Sequence, residues 1–187
     1  NFRVYGPIAY DGSSIETMCR LHMRKPNFPV PLSLMGSLRE FIDVKPGNIF
    51  EEDGVRVLVQ KLNHSPESVG YRVESGGKVF AYLSDYEHSE GQDDLYLIEL
   101  GQNADIAVYD SMYTEEEYNN PKNPKRGWGH STWEKAVELA KKCNIKTIVI
   151  FHHDPVHDDQ FMRNLEKTII SVHSSAVVAR EGMVLTV

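Results

Sequence analysis

The chain has 187 residues, 41% hydrophobic and 25% charged, with a formal charge of −7; that is material for one core and argues against a disordered chain. The acidic balance argues against a partner made of extended nucleic acid, whose binding is mostly neutralisation of phosphates by Lys and Arg. No run of about 18 apolar residues and no leader are seen, so no membrane span is expected, and the two distant cysteines, Cys19 and Cys143, fit reduced thiols in a cytoplasmic compartment better than a disulfide framework.

The text begins inside an apparent strand, Phe2–Tyr5, stopped by Gly6-Pro7. Ser13–Met23 predicts a short helix, with Ile15, Met18, Cys19 and His22 at helical spacing. Prolines 26, 29, 31 and 46 predict an irregular surface excursion over 27–46, with one turn near Leu34–Leu38. Val55–Leu62 alternates as an antiparallel strand does, and Gly70–Glu74 with Lys78–Leu83 reads as a hairpin around Ser75-Gly76-Gly77.

Beyond the hairpin the rhythm becomes α/β. Asp94–Leu100 predicts a helix, Asp105–Tyr109 a buried strand and Thr114–Tyr118 a helical turn. Ser131-Thr-Trp-Glu134 has capping-box spacing and opens a helix striped by Trp133, Ala136, Val137, Ala140 and Cys143, ended at Asn144. Thr147–Phe151 is continuously apolar, as a strand covered on both faces must be. Asp158–Val172 predicts another amphipathic helix, and Val177–Arg180 with Met183–Val187 a closing hairpin around Gly182.

Three β-rich runs end in groups that ligate divalent cations: Lys61-Leu-Asn-His64, Ala81-Tyr-Leu-Ser-Asp85, and Thr147-Ile-Val-Ile-Phe-His152-His153-Asp154. Strand ends hold such groups rigidly. Taken singly, each has an ordinary structural reading: His64, ahead of Ser65-Pro66, as a surface residue, and Asp85 as the cap of a turn. Their conjunction points to a metal site. A fourth feature is Gly127-Trp-Gly-His-Ser-Thr132, where His130 precedes a helix start whose N–H groups favour anions and oppose a charged imidazole. Upstream, Lys122, Lys125 and Arg126 form a compact basic loop, either a phosphate-binding element or a solvated turn.

The order of these segments, His64-Ser-Pro with Gly70-Tyr-Arg, then Gly77-Lys-Val-Phe-Ala-Tyr-Leu-Ser-Asp85, Ala104-Asp with Tyr109-Asp110, Gly129-His-Ser-Thr132 and Phe151-His-His-Asp-Pro155, resembles the metallo-β-lactamase superfamily. Within it the chain is most similar to the branch containing ribonuclease Z and small cyclic-phosphate phosphodiesterases. The resemblance implies an α/β fold, the αβ/βα four-layer sandwich, and two divalent metal ions, Zn2+ foremost with Mn2+ or Fe as alternatives. It implies His64 as ligand of one ion, Asp85 as a catalytic carboxylate bridging both, and His152, first after its strand, rather than His153, as ligand of the second. It further implies His130 as the catalytic group that helps protonate a leaving oxygen. An imidazole in that role requires a carboxylate partner, which could come from residues outside this chain.

The family signature His-x-His-x-Asp-His has no counterpart in these residues. The expectation is therefore that residues 1–187 are the C-terminal portion of a single domain, with the first strands missing and little activity alone. A small or cyclic nucleotide-type phosphodiester is the expected substrate, with Lys122, Lys125 and Arg126 meeting its phosphate. The competing readings are a non-catalytic sensory or interaction domain that keeps the fold without metals, and a thioester or lactone hydrolase on the same scaffold. Exposed sheet edges make a second copy, or the absent N-terminal segment, the expected macromolecular partner.

Overall fold

The computed structural model describes residues 2–37, 39–65, 68–89 and 94–187, which leaves Leu38, from the turn expected over Leu34–Leu38, and Pro66 outside the described residues. The chain divides into two compact units, Asn1–Asn48 and Ile49–Val187.

In the first unit, β1 (Phe2–Pro7) pairs in parallel with β2 (Arg39–Val44), and α1 (Ile15–His22) connects them together with a short 3-10 turn at Leu32–Leu34. Ser14 caps α1 by accepting from the Thr17 N–H, and Asp43 on β2 accepts from the Ile15 N–H, so strand and helix start are tied through an exposed N–H that α1 cannot satisfy itself. The expectation of irregular chain over 27–46 is corrected here by β2. All four prolines that suggested irregularity lie outside that strand, so none removes a ladder donor.

The second unit is a seven-stranded mixed sheet in the order β3 (Ile49–Glu52), β4 (Val55–Leu62), β5 (Ser68–Ser75), β6 (Lys78–Leu83), β7 (Ile106–Asp110), β8 (Thr147–Phe151) and β9 (Ala176–Val178). β3 to β6 pair antiparallel, and β6 to β9 pair parallel. The parallel connections run through α2 (Leu95–Gly101), through α3 (Glu115–Tyr118) with α4 (Trp133–Lys142), and through α5 (Asp159–Val172), as parallel pairing demands. This is the α/β architecture expected, a mixed sheet with helices against it.

The packing follows the sequence rhythm. Ile148, Val149 and Ile150 are all buried on β8, so both of its faces are covered. Ile148 and Ile150 join Leu58, Leu62, Leu83, Leu100, Val137, Ala140 and Ile169 in one core, where each large aliphatic side chain contributes on the order of 1.5–3 kcal/mol. Gly70 on β5 exists for the same core: a methyl there would lie 2.7 Å from Leu100 Cδ1 and 3.0 Å from the Tyr82 carbonyl. Arg72, also on β5, donates to the Leu100 and Gln102 carbonyls at the C-terminus of α2, satisfying acceptors the helix leaves open.

Two further expectations are corrected. The N-cap of α4 is Thr132, whose side chain accepts from the Lys135 N–H, not Ser131; the Ser131 hydroxyl is taken by His88 Nδ1 at 2.8 Å and the Tyr109 hydroxyl at 3.0 Å. No hairpin closes the chain. β9 instead adds in parallel to the edge of β8 after α5 crosses over, a pairing that buries Ala176 and Val178, while Met183–Val187 form no strand.

Candidate metal centre

Because β4, β6, β7 and β8 point the same way, the residues that follow them leave the sheet at one edge. His64 follows β4, Asp85 follows β6, Asp110 ends β7 and His152 follows β8. His130 reaches the same edge from the loop ahead of α4. Four of these side chains, Asp85, Asp110, His130 and His152, each offer one ligand atom, and the four atoms lie within 4.8 Å of one another.

Asp110 is the centre of the group. It is fully buried, and its Oδ2 accepts from His130 Nδ1 at 2.8 Å and from the Tyr86 N–H at 3.2 Å. Its Oδ1 accepts from the backbone N–H groups of Met112 and Ser131. The same Oδ2 stands 3.4 Å from Nδ1 of His152, in ion-pair range, and that nitrogen is buried with no hydrogen-bond partner. Burial pushes the Asp110 carboxyl up, but the His130 hydrogen bond and the nearby His152 outweigh it and hold the group below the usual carboxylate range. Conversely, the Asp110 carboxylate raises His152 above the ordinary imidazole value against its own burial, with Asp85 adding to the pull.

The geometry has a directional consequence. An ionised carboxylate can only accept, so both imidazoles address Asp110 with Nδ1 and turn Nε2 elsewhere. For His152 that direction is toward Asp85, whose Oδ1 is 3.4 Å from Nε2. His152 sits at φ +62, a left-handed conformation that costs a non-glycine residue about 1–2 kcal/mol, and it lies just past β8, so the alternation of side chains along the strand does not govern it. His153 is turned to the other side, with Nε2 3.2 Å from the Ala179 carbonyl beyond β9.

Of the expected ligands, Asp85 and His152 are therefore brought together, and His64 stands at the rim. Its ring centroid is 5.5 Å from that of His130, and it packs on Gly129, where a methyl would lie 2.8 Å from His64 Cδ2. Gly129 also has φ +88, so only glycine serves both the turn and the close approach. The carboxylate partner of His130 comes from within the chain: Asp110, at the end of β7, corrects the expectation that looked outside it. The strand-end rule that singled out Asp85 applies equally to Asp110.

The loop carrying His130 is held by a residue that sequence reasoning passed over. Glu87 is buried, and its carboxylate accepts from the N–H groups of Gly127 at 2.6 Å and Gly129 at 2.8 Å and from the Tyr118 hydroxyl at 2.7 Å. In the basic loop, the Lys125 ammonium lies 4.3 Å from the Trp128 ring centroid and 5.5 Å from that of Tyr113, and the Arg126 guanidinium lies over Tyr118. Lys122 is exposed to solvent.

Two carboxylates and two imidazoles are the donor types a borderline divalent cation takes, and their four donor atoms lie close enough together to share one. The residues fit a metal, and the cluster can chelate one or more divalent ions.

Comparison with known proteins agrees with this reading. Residues 26–153 match the family model described as a β-lactamase superfamily domain. Ribonuclease Z of Limosilactobacillus reuteri is 21% identical over 200 residues, covering 80% of this chain and 59% of that protein. Among solved structures, the metallo-β-lactamase fold protein YhfI of Bacillus subtilis superposes with a TM-score of 0.67 at 17% identity, covering 97% of this chain and 63% of that one. Zn2+-bound PqqB of Methylobacterium extorquens gives 0.65 at 15% identity, covering 100% of this chain and 65% of that one. The chain thus spans about three fifths of the curated relative's length. It belongs to the β-lactamase superfamily and has the metallo-β-lactamase fold.

Proposed function

We propose that the protein carrying this chain is a metal-dependent phosphodiesterase acting on a small or cyclic nucleotide-type phosphodiester. The observation that carries the reading is the single buried carboxylate, Asp110, facing Nδ1 of both His130 and His152. A carboxylate behind an imidazole fixes its tautomer and raises its basicity toward a metal, the arrangement that ligating histidines commonly use.

In this reading His152 Nε2 and Asp85 hold divalent metal together, with His64 at the rim as a further ligand. A pair of such ions, Zn2+ first, supplies water activation and neutralises charge on the phosphoryl oxygens. Asp110 does not compete for the metal as its first task, since its oxygens already accept from His130 and from three backbone N–H groups; it orients the two rings. His130, with Nδ1–H given to Asp110, presents Nε2 to carry a proton to the leaving oxygen. Gly129, pinned by Glu87, keeps His130 where Asp110 can reach it. Lys122, Lys125 and Arg126 lie on the segment leading into that loop and supply positive charge for the substrate phosphate.

The acidic net charge and the likeness to ribonuclease Z pull in different directions on substrate size. A compact substrate needs few phosphate contacts, which suits a chain of charge −7 better than a long RNA does. The test is hydrolysis of bis-p-nitrophenyl phosphate and of cyclic nucleotides by the whole protein loaded with Zn2+ or Mn2+. Turnover that disappears in Asp85→Asn and His152→Ala is the expected result; failure with every phosphodiester tried removes the proposal.

A further inference from the structure

Trp128 is the feature of the site that the hydrolase reading does not use. It is 57% exposed, although an indole is among the most rewarding side chains to bury. Its exposure is built in. The residues on either side, Gly127 and Gly129, both donate their N–H groups to the buried Glu87 carboxylate, so the backbone under the indole is clamped by two charge-assisted bonds. Glu87 is fixed in turn, since its backbone N–H donates to the Asn63 carbonyl and its carbonyl accepts from the Asn63 side chain.

The ring itself is oriented as well. Lys125 Nζ stands 4.3 Å from the Trp128 centroid and covers one face of the indole, a cation–π contact that holds the plane. The same ammonium is 5.5 Å from the ring of Tyr113, and the Tyr113 ring is 6.5 Å from that of His130. A continuous line of Trp128, Lys125, Tyr113 and His130 therefore runs from solvent to the reacting end of the site. Tyr113 is buried, so Trp128 is its one broadly exposed ring.

We propose that the open face of Trp128 is the stacking surface for the base of a nucleotide substrate, with Lys125 meeting the adjoining phosphate charge. The inference rests on the phosphodiesterase reading and deepens it, giving the base of a nucleotide-type substrate a contact that the reading leaves unassigned. Stacking on an indole is tolerant of base identity because every base has a π face. The surface therefore selects nucleotides over plain phosphate esters, and purines over pyrimidines by stacked area, without reading a sequence.

The chain contains two tryptophans, Trp128 and the buried Trp133, so fluorescence separates the two environments. The Zn2+-loaded full chain is titrated with AMP, UMP and ribose 5-phosphate, with excitation confined to tryptophan. AMP is expected to quench the emission, UMP more weakly, and ribose 5-phosphate not at all. In Trp128→Ala the residual Trp133 signal stays unquenched, and AMP affinity by equilibrium dialysis falls by about tenfold or more, the size of one lost base stack. Trp128→Phe, which keeps an aromatic face, recovers part of that affinity. Equal binding of AMP and ribose 5-phosphate, no nucleotide binding, or unchanged AMP affinity in Trp128→Ala each overturns the proposal. Metal content and bis-p-nitrophenyl phosphate turnover are measured in parallel on the whole protein. If both are intact while the base makes no difference, only the stacking surface is lost; if both are absent, the hydrolase reading itself has failed.

Discussion

The two halves of the seven-stranded sheet do different work. The antiparallel half, β3 to β6, holds itself together through hairpin ladders and packing against α2, and it sends His64 and Asp85 to the site edge as candidate ligands. The parallel half, β6 to β9, buries one face in the core through Ala81, Leu83, Ala107, Tyr109, Ile148, Ile150, Ala176 and Val178, and carries Asp110 and His152 at strand ends, with His130 on one of its crossovers. Strands that must be joined by crossovers all present their C-terminal ends at one edge, so chemistry gathers there without any one loop supplying it. The lesson is a division between scaffold and site inside one sheet, and substitutions can probe it from both sides.

The largest effect is expected at the junction of site and core. Asp110→Ala removes the acceptor of His130 Nδ1 and of the Tyr86, Met112 and Ser131 N–H groups, all at a fully buried position. A loss of about 3–5 kcal/mol in urea unfolding is predicted, as for breaking a buried ionic network from one side, together with loss of metal binding. In the scaffold half, Gly70→Ala drives a methyl against Leu100 and should cost about 1–3 kcal/mol by overpacking, while metal binding measured by calorimetry stays intact. If Gly70→Ala also abolished metal binding, the division would be wrong.

His64 sharpens the boundary, since it lies at the rim and belongs to the scaffold half. His64→Ala should change stability by no more than about 0.5 kcal/mol and lower metal affinity by roughly tenfold or more; unchanged affinity would leave the antiparallel half with Asp85 alone. The smallest effect is electrostatic. Lys146 at 2.6 Å and the Val79 N–H hold the Asp105 carboxyl below its ordinary range. A group whose folded value is depressed stabilises above its unfolded value and ceases to do so as pH falls through the folded one. Asp105→Asn should therefore lower the melting temperature slightly at pH 7 and by progressively less as pH falls below the ordinary carboxylate range, with no change in metal affinity at neutral pH.

Much of this was legible in the residues. Val55–Leu62 and the hairpin about Gly76-Gly77 are strands by alternation and turn residues, Thr147–Phe151 by its short unbroken β-branched run, and His64, Asp85 and His152 stood out because each follows such a segment. Asp110 was less visible, although its strand was expected, because the partner that gives it a role, His130, is 20 residues away. Glu87 and His88 gave no signal at all, since nothing local marks a glutamate that will be buried by a glycine loop 40 residues later. β2 was hidden by the prolines around it. β9 was mistaken for half of a hairpin because short apolar segments carry no information on which edge they join. The helix cap shifted from Ser131 to Thr132 because a hydroxyl already taken by His88 and Tyr109 cannot also cap a helix.

The central claim is that one carboxylate, Asp110, turns two imidazoles so that His152 and Asp85 face a common ion. The most direct measurement is Zn2+ titration by calorimetry of the chain beside its His152→Ala and Asp110→Asn variants. The account predicts stoichiometric Zn2+ binding that His152→Ala abolishes and Asp110→Asn weakens by about 10- to 100-fold, the usual effect of removing the carboxylate behind a ligating histidine. Zn2+ affinity that is the same in all three proteins would contradict it.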